Sequence, residues 1–199
     1  MKEKQERVAE AMKANHGVLK TSVLYELGLD YREIDELLKE GYLVRVKNGY
    51  YSLADDERGE EEMIRGFFPD GVLCMESALY YYGYIKDRPL SWQIAIDKNT
   101  SKSRFLIDYP LVQPHYTEDF VLEMGVVTET FHGVEFKIYD RDRLICDCLK
   151  YESKLSHETL KAALRGYLED PKKDVTRLLY YAKERRVLSK VQKTLGVWL

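Results

Sequence analysis

The sequence predicts an α+β fold in two parts. Three observations lead there. The first 54 residues carry three short helical patterns followed by two β-rich stretches around Asn48-Gly49. The middle alternates helical and strand-like stretches, with a second hairpin pattern around His132-Gly133. From Asp140 onward, apolar residues recur at helical spacing as far as Leu195, which predicts a closing bundle of helices.

The first helix runs from Glu3 to Ala14, with Val8, Ala9, Ala11 and Met12 on one side. Gly17 ends it as a C′ glycine. Thr21 or Ser22 caps a second helix, Val23 to Leu27, and Gly28 breaks it. Asp30 followed by Glu33 has the spacing of a capping box. The third helix therefore starts at Tyr31 and runs to Glu40, with Ile34, Leu37 and Leu38 inward and Gly41 as its stop. Strands over 42–46 and 50–53 flank Lys47, Asn48 and Gly49. Asn-Gly suits a hairpin because both residues tolerate positive φ. Helix, helix, turn, helix and hairpin in this order predict a winged helix-turn-helix over 1–54.

Residues 55–66 form an acidic connector, opening a helix that reaches Phe67. Residues 67–199 form a mixed α/β domain. A helix over 76–82 stops at Gly83, a strand covers 92–96, and another covers 106–113 with Pro110 interrupting it. The hairpin pairs 126–131 with 134–139. Asp140 caps a helix to Tyr151, and Ser156 or His157 opens one to Leu168. Two more follow after Asp170-Pro171, over 174–183 and 187–195.

Composition bounds the function. Of 199 residues, 45% are hydrophobic and 33% charged, an ordinary globular balance. No apolar run reaches the length of a membrane-spanning helix. The charged start, Met1 to Glu10, argues against a secretory signal, so a cytoplasmic location is expected. Cys74, Cys146 and Cys148 have no metal-ligand spacing and read as buried free thiols. The net charge of −3 conceals an uneven distribution: residues 55–62 carry −5, while Lys172 to Lys193 carry +6.

Major-groove reading needs a protruding helix with forked or polar side chains at its N-terminal end. Tyr31, Arg32, Asp35, Glu36 and Lys39 would face outward, with Arg32 placed for a base edge. Lys20, Thr21 and Ser22 at the start of the second helix suit a phosphate oxygen. Arg45, Lys47 and Asn48 in the wing could reach backbone or minor groove. Each residue has a plainer reading. Thr21, Ser22 and Asp30 are needed as caps, Tyr31 can pack on the wing, and Arg45 and Lys47 can keep an edge strand soluble. The neutral balance of the first 54 residues also suits a protein-interaction module.

The N-terminal stretch carries Leu37, Gly41, Leu43, Arg45, Gly49 and Tyr51 at the spacing L-x-x-x-G-x-L-x-R-x-x-x-G-x-Y. Further on come Ser77, Ala78, Leu79 and Gly83, then Arg143, Ile145 and Asp147 within the stretch from Ile138 to Tyr151. In this order these motifs resemble the AbiEi antitoxins over nearly the whole chain. The resemblance implies an antitoxin that counters a nucleotidyltransferase toxin without a stable complex. It also implies autorepression through inverted repeats in duplex promoter DNA, in abortive phage infection. A monomer in solution and no membrane contact are expected. The family's C-terminal domain carries basic surface and the antitoxin activity. The matching set here is Lys172, Lys173, Arg177, Lys183, Arg185, Arg186, Lys190 and Lys193.

No catalytic, cofactor or metal site is expected. The four histidines are scattered, and no phosphate loop, dinucleotide-binding glycine motif or nucleophile elbow appears. The strongest enzymatic alternative pairs Glu135 and Lys137 with Asp97 or Asp108 as a Mg²⁺-dependent, restriction-type nuclease. Alternating Glu and Lys on a solvent-facing strand is common, so that signal is weak. Tyr80, Tyr81 and Tyr82 read as packing residues rather than a base-stacking platform.

Overall fold

The computed structural model describes residues 2–55 and 58–198. Asp56 and Glu57, in the acidic connector, lie outside the described residues. The described chain is mixed α+β, with ten α-helices and two sheets. It divides into two compact units: Met1–Pro69 with Lys102–Pro110 and His132–Val134, and the remainder. No helix among the described residues is long and apolar enough to cross a membrane.

The first unit begins with α1 (Lys2–Ala14), β1 (Leu19–Lys20), α2 (Thr21–Glu26) and α3 (Tyr31–Lys39). Then come β2 (Leu43–Lys47), β3 (Tyr50–Leu53) and α4 (Glu60–Phe67). The segment expected as a connector thus includes a helix of this unit. The sheet order is β1-β3-β2, antiparallel throughout, with Leu19 opposite Tyr51 and Arg45 opposite Tyr51 on the other side. The two-residue strand β1 carries too short a pattern to be visible in the sequence.

The capping box forms as its spacing predicts. Asp30 Oδ1 accepts from the Glu33 amide at 2.9 Å, and Glu33 Oε2 accepts from the Asp30 amide at 2.9 Å. Lys4 reaches the same carboxylate and also donates to the Gly28 carbonyl at 2.9 Å. One core gathers Val8 and Met12 from α1, Leu24 from α2, Ile34 and Leu37 from α3, and Leu19, Leu43 and Tyr51 from the sheet. Leu37 is fully buried there, so truncating it to alanine would cost about 2–5 kcal/mol.

The turn between β2 and β3 differs from expectation. Gly49 takes positive φ (+76°), but Asn48 does not. A register shift between Arg45 and Lys47 takes up the extra twist instead. The start of α2 differs too. Lys20 is its N-cap, without a side-chain cap bond, and Thr21 lies inside the helix.

The second unit contains β4 (Val72–Leu73), α5 (Met75–Tyr81), β5 (Trp92–Asp97), β6 (Val112–Thr117) and the short α6 (Asp119–Leu122). The hairpin strands β7 (Val126–Phe131) and β8 (Val134–Tyr139) match their expected bounds. The strand expected over 106–113 forms later, as β6, beyond a cis Tyr109-Pro110 bond. Sheet order is β6-β5-β4-β8-β7, with β4 parallel to β8 and antiparallel to β5. Four helices close the chain: α7 (Arg141–Lys150), α8 (His157–Glu169), α9 (Val175–Glu184) and α10 (Leu188–Leu195). Asp140, Ser156 and Asp174 cap the first three through their side chains.

Eight consecutive residues of α7, Asp142 to Leu149, are buried. Burial on every side makes α7 an interior helix, so its charged residues must find partners inside. All three cysteines are buried free thiols.

Candidate nucleic-acid interface

In the first unit, α3 turns Ile34 and Leu37 inward and leaves Tyr31, Arg32, Glu36 and Lys39 exposed. Tyr31 is 69% exposed, at the first position of the helix. Arg32 beside it makes no hydrogen bond or ion pair among the described residues. Lys39 is not free: its ammonium lies 2.6 Å from Asp35, four residues back, and that carboxylate raises its pKa. The acid that seemed to oppose DNA is therefore matched within its own helix, while Glu36 stays exposed.

The β2–β3 hairpin is less available than expected. Lys47, expected to reach DNA backbone or minor groove, is instead half-buried, donates to the Arg104 carbonyl, and lies 4.4 Å from the Tyr50 ring centroid. Burial, then the charges of Arg104 and Lys20, lower its pKa to about 8. Arg45 is exposed, its guanidinium 5.6 Å from the Tyr51 ring centroid. Asn48 is exposed at the turn. At the start of α2, Ser22 and Lys20 are exposed and Thr21 is half-buried. The Thr21 amide donates to the Gly49 carbonyl at 3.0 Å, so it is not a spare donor for phosphate.

The C-terminal basic set separates into two groups. Arg185, 5% exposed, is an internal residue: its Nε donates to Asp147 Oδ1 at 2.8 Å. Arg177 is half taken up, its Nε donating to Asp142 Oδ2 at 2.7 Å. Lys190 binds Glu152 at 2.8 Å, and Lys173 donates to the Leu168 carbonyl at 2.9 Å. Lys172, Lys183, Arg186 and Lys193 are exposed. The count of eight bases in this stretch therefore overstates its free positive surface.

No family model matches the chain, and no curated protein matches it.

Behind the C-terminal set lies a charge network that sequence reasoning missed. Asp147 takes Arg143 Nε on one oxygen at 3.0 Å and Arg185 Nε on the other. Arg143 also donates to the Val121 and Met124 carbonyls at 2.8 and 2.7 Å. Asp142 accepts from the Tyr167 hydroxyl and the Asp174 amide, at 2.8 and 2.9 Å. Asp140 accepts from Tyr181 at 2.9 Å, and burial raises its pKa. The signal was present: Leu144, Ile145, Cys146, Cys148 and Leu149 surround the charges on every face of α7. Arg143 thus ties α7 to the segment from α6 to Met124, and Asp147 ties it to Arg185 at the C-terminal end of α9.

The nuclease residues are dispersed. Glu135 and Lys137 lie on β8 and Asp97 ends β5, with β4 between those strands. That spacing sets the two backbones roughly 10 Å apart. Asp97 instead accepts from the Asn99 amide at 2.6 Å, and its carboxylate raises the pKa of Asp119. Glu135 is exposed, and Asp108 belongs to the first unit. Among the described residues no group of three or more His, Cys, Asp or Glu could hold a metal ion. The tyrosine cluster packs: Tyr80 and Tyr81 meet the Phe131 ring edge-on at 6.0 and 5.4 Å.

Proposed function

We propose that this chain is a cytoplasmic transcriptional regulator that binds duplex DNA through a winged helix-turn-helix in its first unit. The observation that carries the reading is the exposed N-terminal end of α3, where Tyr31 and Arg32, which has no ion pair among the described residues, stand over a capped first turn. A forked guanidinium there suits a guanine edge in the major groove. The order α1, β1, α2, α3, β2, β3, with a small antiparallel sheet closing on one core, supports that reading. Arg45 and Asn48 in the wing, with Lys20 and Ser22, supply backbone contacts whose strength falls with salt.

The motif order further supports an antitoxin of the AbiEi type. Such a protein represses its own operon through inverted repeats and counters a nucleotidyltransferase toxin without a stable complex, as a monomer in solution. The exposed bases Lys172, Lys183, Arg186 and Lys193 are the part of the C-terminal set available for that role.

A gel shift on the chain's own upstream promoter, against random duplex at equal salt, tests the DNA reading. The expected result is a shift on the promoter that competitor DNA does not remove. Equal binding to both, or none at low salt, would favour a protein-interaction module. Co-expression with the toxin encoded beside the chain tests the antitoxin reading: growth should be rescued without co-purification.

A further inference from the structure

We infer that the second unit binds a nucleoside phosphate, with the phosphate between Lys150, Lys183 and Arg186 and the base against Phe120 and Tyr116. A groove of about 620 Å³ is lined by these residues and Tyr151, within the range of roughly 300–1,000 Å³ typical of small-molecule sites.

The charges favour an anion. Lys183 and Arg186 are exposed and make no ion pair among the described residues. Lys150 is half-buried, and its ammonium donates to the Arg185 carbonyl at 3.2 Å, which leaves it two further donors. Burial, then the charge of Arg185, lowers its pKa. An anion placed there relieves that repulsion. Of the two acids on the rim, Glu118 is already paired with Lys98 at 3.2 Å, leaving Glu184.

Arg186 supplies a separate argument. It follows α9 in the left-handed region, φ +58°, where its own amide donates to the Lys183 carbonyl at 3.0 Å and the Val187 amide donates to the Ala182 carbonyl at 2.8 Å. Glycine is the usual residue at such a C′ position, and a larger residue costs about 1 kcal/mol there. Helix closure alone would be served better by glycine, so the side chain gives arginine its reason at this position. Phe120 completes the site: it is 72% exposed beside the cations, an apolar ring face suited to stacking on a base.

The site stands independently of DNA reading by α3. The test is calorimetric titration of the full chain with ATP at low ionic strength, with adenosine and inorganic phosphate as comparisons. Saturable ATP binding is expected, with weaker phosphate binding and none by adenosine. Arg186→Gly should weaken ATP binding about tenfold or more, a loss of ~1.4 kcal/mol, while leaving thermal stability unchanged or higher. Phe120→Ala should weaken ATP and leave inorganic phosphate unaffected. Competition by a 5′-phosphorylated oligonucleotide, but not by its unphosphorylated twin, would support the same site with a strand end as the source. ATP binding that is undetectable, or unchanged in Arg186→Gly, would overturn the proposal.

Discussion

Arg143 and Asp147 stand one turn apart on α7, and their 3.0 Å ion pair is buried, at 0% and 4% exposure. Asp147 bridges Arg143 to Arg185, so one carboxylate balances two interior guanidiniums. Removing it leaves two buried charges without their counterion. Asp147→Ala is expected to cost about 3–5 kcal/mol, read from denaturant midpoints. A loss below about 1 kcal/mol would show that water reaches the network.

Gly166 in α8 sets two effects against each other. Alanine would gain up to about 1 kcal/mol in helix propensity. A Cβ there would lie 2.8 Å from the Tyr84 ring, whose hydroxyl is fixed to Asp170 at 2.8 Å. Overpacking of this kind costs about 1–3 kcal/mol, so the clash should win. Gly166→Ala is expected to lower the thermal midpoint, and restoring room with Tyr84→Leu should recover part of the packing loss.

His115 predicts an acid-sensitive fold. Burial, then the charge of Lys154, lowers its pKa to about 4, and its Nε2 is buried without a hydrogen-bond partner among the described residues. The unfolded imidazole titrates near its ordinary value of 6.5. Between those values the unfolded state binds more protons, so stability is complete above about pH 6.5 and falls as pH drops towards about 4. The contribution is on the order of 3 kcal/mol at most. In His115→Gln the acid limb of the stability profile should flatten over that window; an identical limb would assign the loss to the carboxylates.

Two α3 variants separate base reading from charge. Arg32→Ala should cost about 1–3 kcal/mol on the cognate promoter and relax one base position. Equal loss on random duplex would remove Arg32 from base reading. Asp35→Ala removes an acid and frees Lys39, which it holds at 2.6 Å. Affinity should rise for all duplexes, with a salt dependence steeper by about one counterion. Unchanged affinity would place that face of α3 away from DNA.

Legibility followed periodicity and chain locality. Asp30, three residues before Glu33, gave both ends of the capping box, and the patterns over 126–131 and 134–139 gave the second hairpin to the residue. What escaped depends on partners distant in sequence. β1 and β4 are two-residue strands that exist because β3, β5 and β8 receive them. Lys47 looked like a wing cation, yet its contact is a carbonyl 57 positions away. Arg185 looked like surface because its charged neighbours in sequence are exposed, while its own partner is Asp147, 38 positions back. Of the candidate interface, the exposure of Tyr31 and Arg32 was readable from helical spacing, and the neutralising Asp35–Lys39 pair was implicit in their four-residue separation.

Glu33 completes the cap of α3 and also receives Lys4 from the opening turn of α1, while the Tyr42 hydroxyl donates to the Gln5 carbonyl at 2.9 Å. The first turn of α3 is thus braced from outside its own helix, one residue beyond Arg32. Loss of the Lys4 contact would therefore be felt at the turn that carries Arg32, although the two side chains stand in different helices.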